Sequence, residues 1–328
     1  MTQLQISQEY WLYERLKKKN PHANPQFSFS ATCSWLRAIA LLCEINSFEK
    51  TKLSEFYKSV QRRTVNRTAD TLVFEQAFMS FHNLAALEAI KINQDYHCHL
   101  IQSAIINWYY GIYFAASAMI TACDGSYPQE HTSTANAWTQ HFAITKKIVY
   151  PFNLYLPTLV KKEYKIEIEK LRQGNATSVH ESPINESSAH NICVSFLKGS
   201  ADWYREKKQT EILKNKEFKN KGFNNFRKQE AQQMRNNYLQ KKQVSFLHQA
   251  FRYRGKANYR DAIYLSYGEN RQQEITNLVE DLYCTLHCFL SMASHYCSKR
   301  VEKGTWLQFS QDVENNKLVS TSTALFQI

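Results

Sequence analysis

Two long apolar stripes at helical spacing constrain the fold of this chain more than any other feature of its sequence. The first stripe recurs every three to four positions and consists of Leu72, Phe74, Ala77, Phe78, Phe81, Leu84, Leu87 and Ile90. The second consists of Ile101, Ala104, Ile105, Trp108, Ile112, Ala115, Ala116 and Met119. This spacing places apolar side chains on one face of a helix. We therefore predict antiparallel helices at Thr71–Lys91 and His97–Ala122, with Gly125 capping the second.

Further segments carry the same helical signal. It predicts helices at Ser7–Lys18, Ser30–Ile45 and Gln273–Lys299, and a shorter one at Trp138–Tyr150. The chain contains only 8 Gly and 6 Pro, which suits long helices because both residues interrupt regular structure. Its hydrophobic content of 43% is sufficient for a packed core. The sequence therefore predicts an all-α fold, with short, polar and weakly patterned residues beyond Gly304.

Positive charge is concentrated in residues 198–242. This segment has 13 Lys and Arg against 5 Asp and Glu, so 13 − 5 = 8 of the net charge of +12 falls in 45 residues. Basic side chains neutralise phosphates, and interleaved aromatic side chains stack on unpaired bases. We predict nucleic-acid binding by Lys207, Lys208, Lys214, Lys216, Lys219, Lys221, Phe226, Arg227, Lys228 and Arg235. The alternative is a solvated helical surface whose aromatic residues are buried against the rest of the fold.

The cysteines and the apolar segments indicate a reducing cytoplasm. The eight cysteines lie within apolar helical patterns rather than in the spacing of a disulfide framework. Residues 1–20 have no apolar run typical of a secretory signal, and Asn107, Gly111 and several tyrosines interrupt the longest apolar stretch. No Gly-rich phosphate loop is present, and we set aside zinc at Cys284–Cys288. We therefore predict no cofactor, no metal and no membrane partner.

Three short motifs, in this order, resemble the HEPN family of helical proteins. Residues 104–119 contain Tyr109-Tyr110, then Phe114, then Ala115-Ala116, which is similar to the second helix of HEPN domains. His131-Thr132 follows shortly after this helix, where the family usually has a Thr-His step. Arg252-Tyr-Arg254-Gly-Lys-Ala-Asn-Tyr259 is similar to the family's late Arg then Ala-Asp-Tyr pattern, with Asn258 in place of the acid.

The resemblance implies a four- to five-helix bundle that is interrupted by a basic insert. The core is expected in two parts, at 73–150 and 246–300, so that residues 103–125 and 251–267 belong to one domain. An N-terminal helical extension occupies 1–72, and a helical insert occupies 151–245 with a flexible loop at 173–188. Residues 301–328 form a C-terminal tail.

The resemblance also implies action on RNA, in bacterial toxin–antitoxin or antiphage defence. Cleavage through the 2′-hydroxyl needs a base of near-neutral pKa and a cation that holds the phosphate. We predict a catalytic group of His131, Arg252, Arg254, Tyr110 and Tyr259 at one end of the bundle. The family's nucleases carry an Arg and a later His with four to six residues between them. That spacing is absent from the matched segments here and occurs only between Arg15 and His22.

Two functional hypotheses follow. One is a metal-independent endoribonuclease that acts as a homodimer. The other is a non-catalytic nucleic-acid-binding or assembly subunit of a defence complex, which the missing Arg–His spacing favours. Both hypotheses imply RNA or another nucleic acid as a partner. A separate nucleotidyltransferase chain is a further expected partner.

Overall fold

Helices form almost all of the regular structure, as the apolar periodicity predicts. The computed structural model describes the backbone of residues 25–46, 48–259 and 272–316, and the side chains of residues 29–46, 48–255 and 272–316. The helices in these residues are α1 (Pro25–Asn46), α2 (Lys50–Phe56), α3 (Arg67–Ile92), α4 (His97–Asp124), α5 (His131–Trp138), α6 (Lys161–Leu171), α7 (Glu186–Lys214), α8 (Lys216–Asn220), α9 (Gln229–Gln240), α10 (Phe246–Tyr259), α11 (Gln272–Arg300) and α12 (Thr305–Asn315). Two-residue strands β1 (Tyr155–Leu156) and β2 (Val244–Ser245) pair antiparallel. The predicted all-α class is confirmed.

The central pair α3 and α4 begins and ends at local capping signals. The side chain of Asn66 accepts a hydrogen bond from the backbone N–H of Ala69 at 3.1 Å, so α3 begins four residues earlier than predicted. Gly125 closes α4 in the left-handed region with φ of 83°, and its N–H donates to the carbonyl of Thr121. Glycine adopts this conformation without a steric penalty. The predicted cap of α4 is confirmed.

Helix α4 lies at the centre of the fold and packs against α3, α10 and α11. Its approach to α11 is close at Gly111, where a Cβ atom would lie 2.7 Å from the Cδ atoms of Leu286. The Ser80 hydroxyl of α3 donates to the carbonyl of Gly111 at 2.6 Å. A small residue at this position therefore lets three helices meet. Residues from 103–125 and from 251–259 contribute to one hydrophobic core, while 260–267 lie outside the described residues.

The first and the last described helices, α1 and α12, both contribute to this core. Trp35 of α1 is 1% exposed and stacks on Phe196 of α7 with 4.3 Å between ring centroids. The predicted extension at 1–72 is therefore part of the main core from Phe29 onward. The weak pattern after Gly304 also forms a helix, α12, because Trp306, Ser310 and Val313 are buried at helical spacing. The predicted helix at Ser7–Lys18 and the Arg15–His22 spacing lie outside the described residues.

Two boundaries differ from the prediction. The short helix expected at Trp138–Tyr150 begins instead at His131 and ends in a π-helical turn at Thr139–Ala143. The loop expected at 173–188 ends at Asn185, because Asn185 and Ser188 form a reciprocal capping box that starts α7. The start of α7 is set by hydrogen bonds at the helix end, to which apolar periodicity is insensitive.

The insert at 151–245 has two small hydrophobic clusters of its own. One joins α6, the first half of α7 and the strand pair around Tyr164, Leu197 and Val244. The other joins the end of α7 to α8 and α9 and contains Ile212, Phe218, Phe223 and Ala231. The basic segment is therefore a folded helical surface with a core, attached to the bundle through α7.

Candidate functional site

Aromatic side chains from α4 and α10 surround His131, the first residue of α5. The His131 ring lies 4.6 Å from the ring of Tyr113 and 5.3 Å from that of Phe251, with which it is nearly parallel. The rings of Tyr109 and Tyr110 lie at 5.4 and 5.9 Å. Side chains from two helices that are more than a hundred residues apart in the sequence therefore converge on one imidazole. We call this group, together with Arg254, the tyrosine–histidine site.

His131 is oriented by one hydrogen bond. Its Nδ1 atom lies 2.8 Å from the hydroxyl of Tyr109, and Nε2 has no hydrogen-bond partner among the described residues. Partial burial lowers the pKa of His131 below its ordinary value, and the positive charge of Arg254 lowers this pKa further. The imidazole is therefore neutral at pH 7, with one ring nitrogen held in place and the other accessible to a ligand.

Arg254 supplies a cation beside this imidazole. Its guanidinium carbon lies 5.2 Å from the ring centroid of Tyr109 and 5.6 Å from those of Tyr110 and Phe251. Such contacts orient a guanidinium without neutralising it. In the described part of the chain no carboxylate pairs with Arg254, and its buried Nε atom has no hydrogen-bond acceptor. A half-buried arginine without an anion is a site at which an anionic ligand would gain charge-assisted hydrogen bonds.

The buried phenol of Tyr109 remains protonated in this setting. Burial raises the pKa of Tyr109 well above its ordinary value, although the nearby Arg254 acts in the opposite direction. Tyr109 is therefore neither the base nor an anionic partner for Arg254. If Nδ1–H of His131 donates to the Tyr109 oxygen, Nε2 carries a lone pair and can accept a proton. The arrangement combines a proton acceptor with a cation.

The structure brings together three of the five residues that we predicted as catalytic. His131, Arg254 and Tyr110 meet in the tyrosine–histidine site, whereas the side chain of Tyr259 lies outside the described residues. Arg252 lies on the other side of α10, with its guanidinium carbon 5.0 Å from the ring of Trp203. Residues two positions apart on a helix point in nearly opposite directions. The structure therefore does not bring Arg252 together with His131.

Three residues of the site were missing from the predicted catalytic group, namely Tyr109, Tyr113 and Phe251. Tyr109 makes the hydrogen bond to His131, and Phe251 stacks on the imidazole. A local signal existed for Tyr109, since Tyr109 and Tyr113 are four positions apart and share a helix face. Phe251 had no comparable signal, because its partner lies 120 positions earlier in the chain.

The predicted nucleic-acid-binding residues lie on α7, α8, α9 and the loop between α8 and α9. The side chains exposed to solvent are Lys207, Lys214, Lys216, Lys219, Lys221, Arg227 and Lys228. Lys208 pairs with Glu211 at 2.7 Å, and Lys221 pairs with Glu230 at 3.3 Å. Surface pairs of this kind contribute little to stability and leave the net charge of the segment positive. The insert therefore presents a basic face, which we call the lysine face.

The aromatic residues of the insert divide into two groups. Phe226 is half-buried against Phe218 at 5.4 Å, and the guanidinium of Arg235 covers it at 5.3 Å. Phe226 is therefore partly buried against the small core of the insert, and its role in stacking on bases stays a prediction. Trp203, by contrast, is 37% exposed. It lies between the cations of Lys207 and Arg252, at 5.5 and 5.0 Å.

Metal and membrane chemistry have no visible counterpart in the described residues. No three His, Cys, Asp or Glu side chains of residues 29–46, 48–255 and 272–316 lie close enough together to hold a metal ion. No helix in the part of the chain that the structure describes has the length and apolar character needed to cross a bilayer.

Comparison with known proteins leaves the HEPN resemblance as a prediction. It rests on Tyr109-Tyr110, His131-Thr132 and the segment from Arg252 to Tyr259, together with the all-α fold. Comparison of the chain with protein-family models, with curated proteins and with solved structures finds no match.

Proposed function

We propose that this protein binds and cleaves RNA, and that the tyrosine–histidine site performs the cleavage. The observation that carries the proposal is the placement of Arg254, a half-buried cation with no carboxylate partner among the described residues, beside the neutral imidazole of His131. A phosphodiester supplies the missing anion, and its 2′-hydroxyl supplies a proton for the imidazole. Tyr110 and Phe251, which are only partly buried, offer ring surface against which a nucleotide can pack.

In the proposed reaction, His131 acts as general base through Nε2. It removes the proton of a ribose 2′-hydroxyl, and that oxygen forms a bond to the adjacent phosphorus while the bond to the 5′-oxygen breaks. Water supplies the proton for the leaving 5′-oxygen. Arg254 stabilises the charge that develops on the phosphoryl oxygens. Tyr109 positions the imidazole by accepting the Nδ1–H hydrogen bond.

The HEPN resemblance extends this proposal beyond the site. HEPN nucleases commonly act as dimers, so we propose self-association of this chain as well. A role in toxin–antitoxin or antiphage defence, with a separate nucleotidyltransferase partner, is the biological setting that the resemblance implies.

Replacing His131 with alanine tests the proposal directly. We expect RNA cleavage to slow by about 10²- to 10⁴-fold, since a positioned general base contributes an effect of this size. The measurement is the cleavage rate of end-labelled single-stranded RNA at pH 7.5, with and without a chelator. His99→Ala is the matched control, because His99 is an exposed histidine on the same helix as Tyr109. Undiminished cleavage by the His131 variant would remove it from the mechanism.

The second candidate function is binding of nucleic acid without cleavage. The lysine face favours it, because seven basic side chains are exposed there and Trp203 lies beside them. Phosphate contacts of this kind bind without selecting a sequence. An intact protein that binds RNA tightly but never cleaves it would support this candidate over the first.

Removing charges from the lysine face is expected to weaken RNA binding and its salt dependence. The triple change Lys214→Gln, Lys216→Gln and Lys219→Gln removes three exposed cations. The magnitude of the slope of log affinity against log salt concentration is expected to decrease by up to about 2. Each lost phosphate contact with a single strand accounts for ~0.7 of this decrease. The readout is fluorescence anisotropy of labelled RNA across a salt series. The control is a triple change of Lys161, Lys162 and Lys165 of α6 to Gln, which removes the same charge from another surface. An equal loss of RNA affinity in this control would contradict binding at the lysine face.

A further inference from the structure

A cavity of about 290 Å³ lies on the opposite side of α10 from the tyrosine–histidine site. It is bounded by α1, α7, α10 and the loop before α7. The described residues that line it are Ala31, Thr32, Val179, His180, Ser195, Phe196, Gly199, Gln249, Arg252 and Tyr253. This volume is near the lower end for sites of small organic ligands. The cavity is therefore large enough for one compact molecule and too small for a folded peptide.

The wall of the cavity contains a buried amide with an unmet hydrogen bond. Gln249 is 4% exposed, and its Nε2 atom has no hydrogen-bond partner among the described residues. A buried donor without an acceptor destabilises a folded protein, and such groups mark sites that a ligand can complete. The amide of glutamine carries both donors and an acceptor, which match the polar edge of a nucleobase.

Aromatic and basic side chains complete the chemistry of the wall. One face of the Phe196 ring is covered by Trp35, to which it is parallel within 6°, and the remainder of the ring lines the cavity. Tyr253 adds a second aromatic ring. Arg252 adds a permanent cation, and none of the ten lining residues is a carboxylate. The wall therefore suits a planar aromatic ligand that carries negative charge.

The cavity lies next to the lysine face. Gly199, which lines the cavity, lies one helical turn before Trp203 on α7, and the Arg252 guanidinium contacts both Trp203 and the carbonyl of Gly199. Lys207 lies one further turn along α7, beside the Trp203 ring. A ligand whose phosphate lay at Arg252 would therefore extend toward a row of cations rather than toward the apolar core.

We propose that this cavity binds one nucleotide, with its base against Phe196 and Tyr253 and its phosphate at Arg252. Gln249 hydrogen-bonds an edge of the base. The nucleotide is either a free nucleoside monophosphate or one unpaired nucleotide of an RNA strand that continues along the lysine face. Binding in the cavity does not require cleavage at the tyrosine–histidine site, because no residue is shared between the two.

A pair of substitutions at Gly199 tests the cavity with little risk to folding. A Cβ atom at Gly199 meets no other atom within 4 Å, and this glycine lies inside helix α7. Both Gly199→Ala and Gly199→Leu should therefore fold, since each has a higher helix propensity than glycine. Only the leucine side chain is large enough to reach into the cavity. Gly199→Ala is thus the matched control for Gly199→Leu.

Binding is measured by calorimetry on the full chain with AMP, UMP, ribose 5-phosphate and inorganic phosphate, and by anisotropy with a labelled single-stranded RNA hexamer. We expect Gly199→Leu, Gln249→Met and Arg252→Gln each to weaken nucleotide binding at least tenfold, with Gly199→Ala and the exposed-site variant Arg67→Ala unchanged. Gln249→Met should also unfold at the same or a higher urea concentration than the natural chain, because it removes a buried unsatisfied donor.

The outcomes separate the sources of the ligand and the two proposals. Tight binding of a monophosphate identifies a free nucleotide, whereas binding of the hexamer alone, lost in Gly199→Leu, identifies a nucleotide within RNA. The cavity proposal is overturned if Gly199→Ala and Gly199→Leu bind every probe with equal strength. It is also overturned if the natural chain binds no probe. If the natural chain never cleaves RNA yet binds a nucleotide in this pattern, the cleavage proposal alone fails.

Discussion

Replacing Arg254 with alanine is expected to slow RNA cleavage about 10²- to 10³-fold, the usual effect of removing one group that stabilises a developing oxyanion. The expectation rests on position, because the guanidinium is held over Tyr109 and Tyr110 beside His131 and has no carboxylate partner among the described residues. Arg67→Ala is the matched control, since Arg67 is 87% exposed on α3. Cleavage that slows equally in both variants would contradict a specific role.

The same variant has a second readout that a merely structural arginine would not produce. Arg254 helps to lower the pKa of His131, so its removal should raise that pKa toward the ordinary value. The imidazole must be neutral to act as a base, and the acidic limb of the pH–rate profile should therefore move to higher pH in Arg254→Ala. Arg254→Lys keeps the charge and should leave the limb near its original position. An unmoved limb in Arg254→Ala would separate Arg254 from His131.

The two single changes should not be additive if both residues serve one step. The double variant with His131→Ala and Arg254→Ala is expected to retain about the activity of the slower single variant, because residues that act as a unit lose their effect together. The comparison uses cleavage rates of all four proteins under identical conditions. Strictly multiplicative losses would indicate two independent contributions.

Acidification is expected to destabilise the protein through His248, which has no part in the proposed reaction. Nε2 of His248 lies 3.2 Å from the amide oxygen of Asn136, and Nδ1 lies 3.1 Å from the hydroxyl of Ser245. An amide oxygen only accepts, so Nε2 carries the proton and Nδ1 accepts from Ser245. Thr139 contacts the same hydroxyl at 2.8 Å. This network therefore satisfies a neutral imidazole within the core.

The sign of the pH effect follows from the pKa of this group. Burial, assisted by the charge of Lys208, lowers the pKa of His248 to about 4. The unfolded chain, with an ordinary histidine pKa of about 6.5, binds the proton more readily. The contribution to stability is therefore complete above pH 6.5 and is lost as the pH falls toward 4. Between pH 7.5 and pH 4.5 the loss amounts to roughly 2–3 kcal/mol.

Urea unfolding of the His248→Gln variant measures the pH-dependent contribution of His248 to the free energy of unfolding. The variant should be less stable than the natural chain at pH 7.5, and the difference should shrink by roughly 2–3 kcal/mol at pH 4.5. Burial also lowers the pKa values of His131, His287 and His295, so acid destabilises both proteins and only the difference reports on His248. His99→Gln, at an exposed position, serves as the control. Parallel losses in the natural chain and His248→Gln would contradict the assignment.

Much of the candidate site could be anticipated from local pattern. The tyrosines of α4, His131 and Arg254 were all within segments that the sequence singled out. Their convergence could not be read in the same way, because it depends on α10 packing against α4 across more than a hundred residues. The same limit applies to Gln249 and His248. Their roles depend on neighbours from other helices, and no spacing within α10 indicates them.

The sequence by itself determined where most of the long helices lie, since apolar periodicity and caps such as Gly125 act within a few residues of one another. It also determined the charge of the lysine face. Only the tertiary structure decided which neighbouring helix Arg252 and Arg254 of α10 each contact. Arg254 meets the tyrosines of α4, and Arg252 meets Trp203 of α7. The physical reason is that helix positions follow from short-range interactions, whereas a site depends on which helix faces pack together.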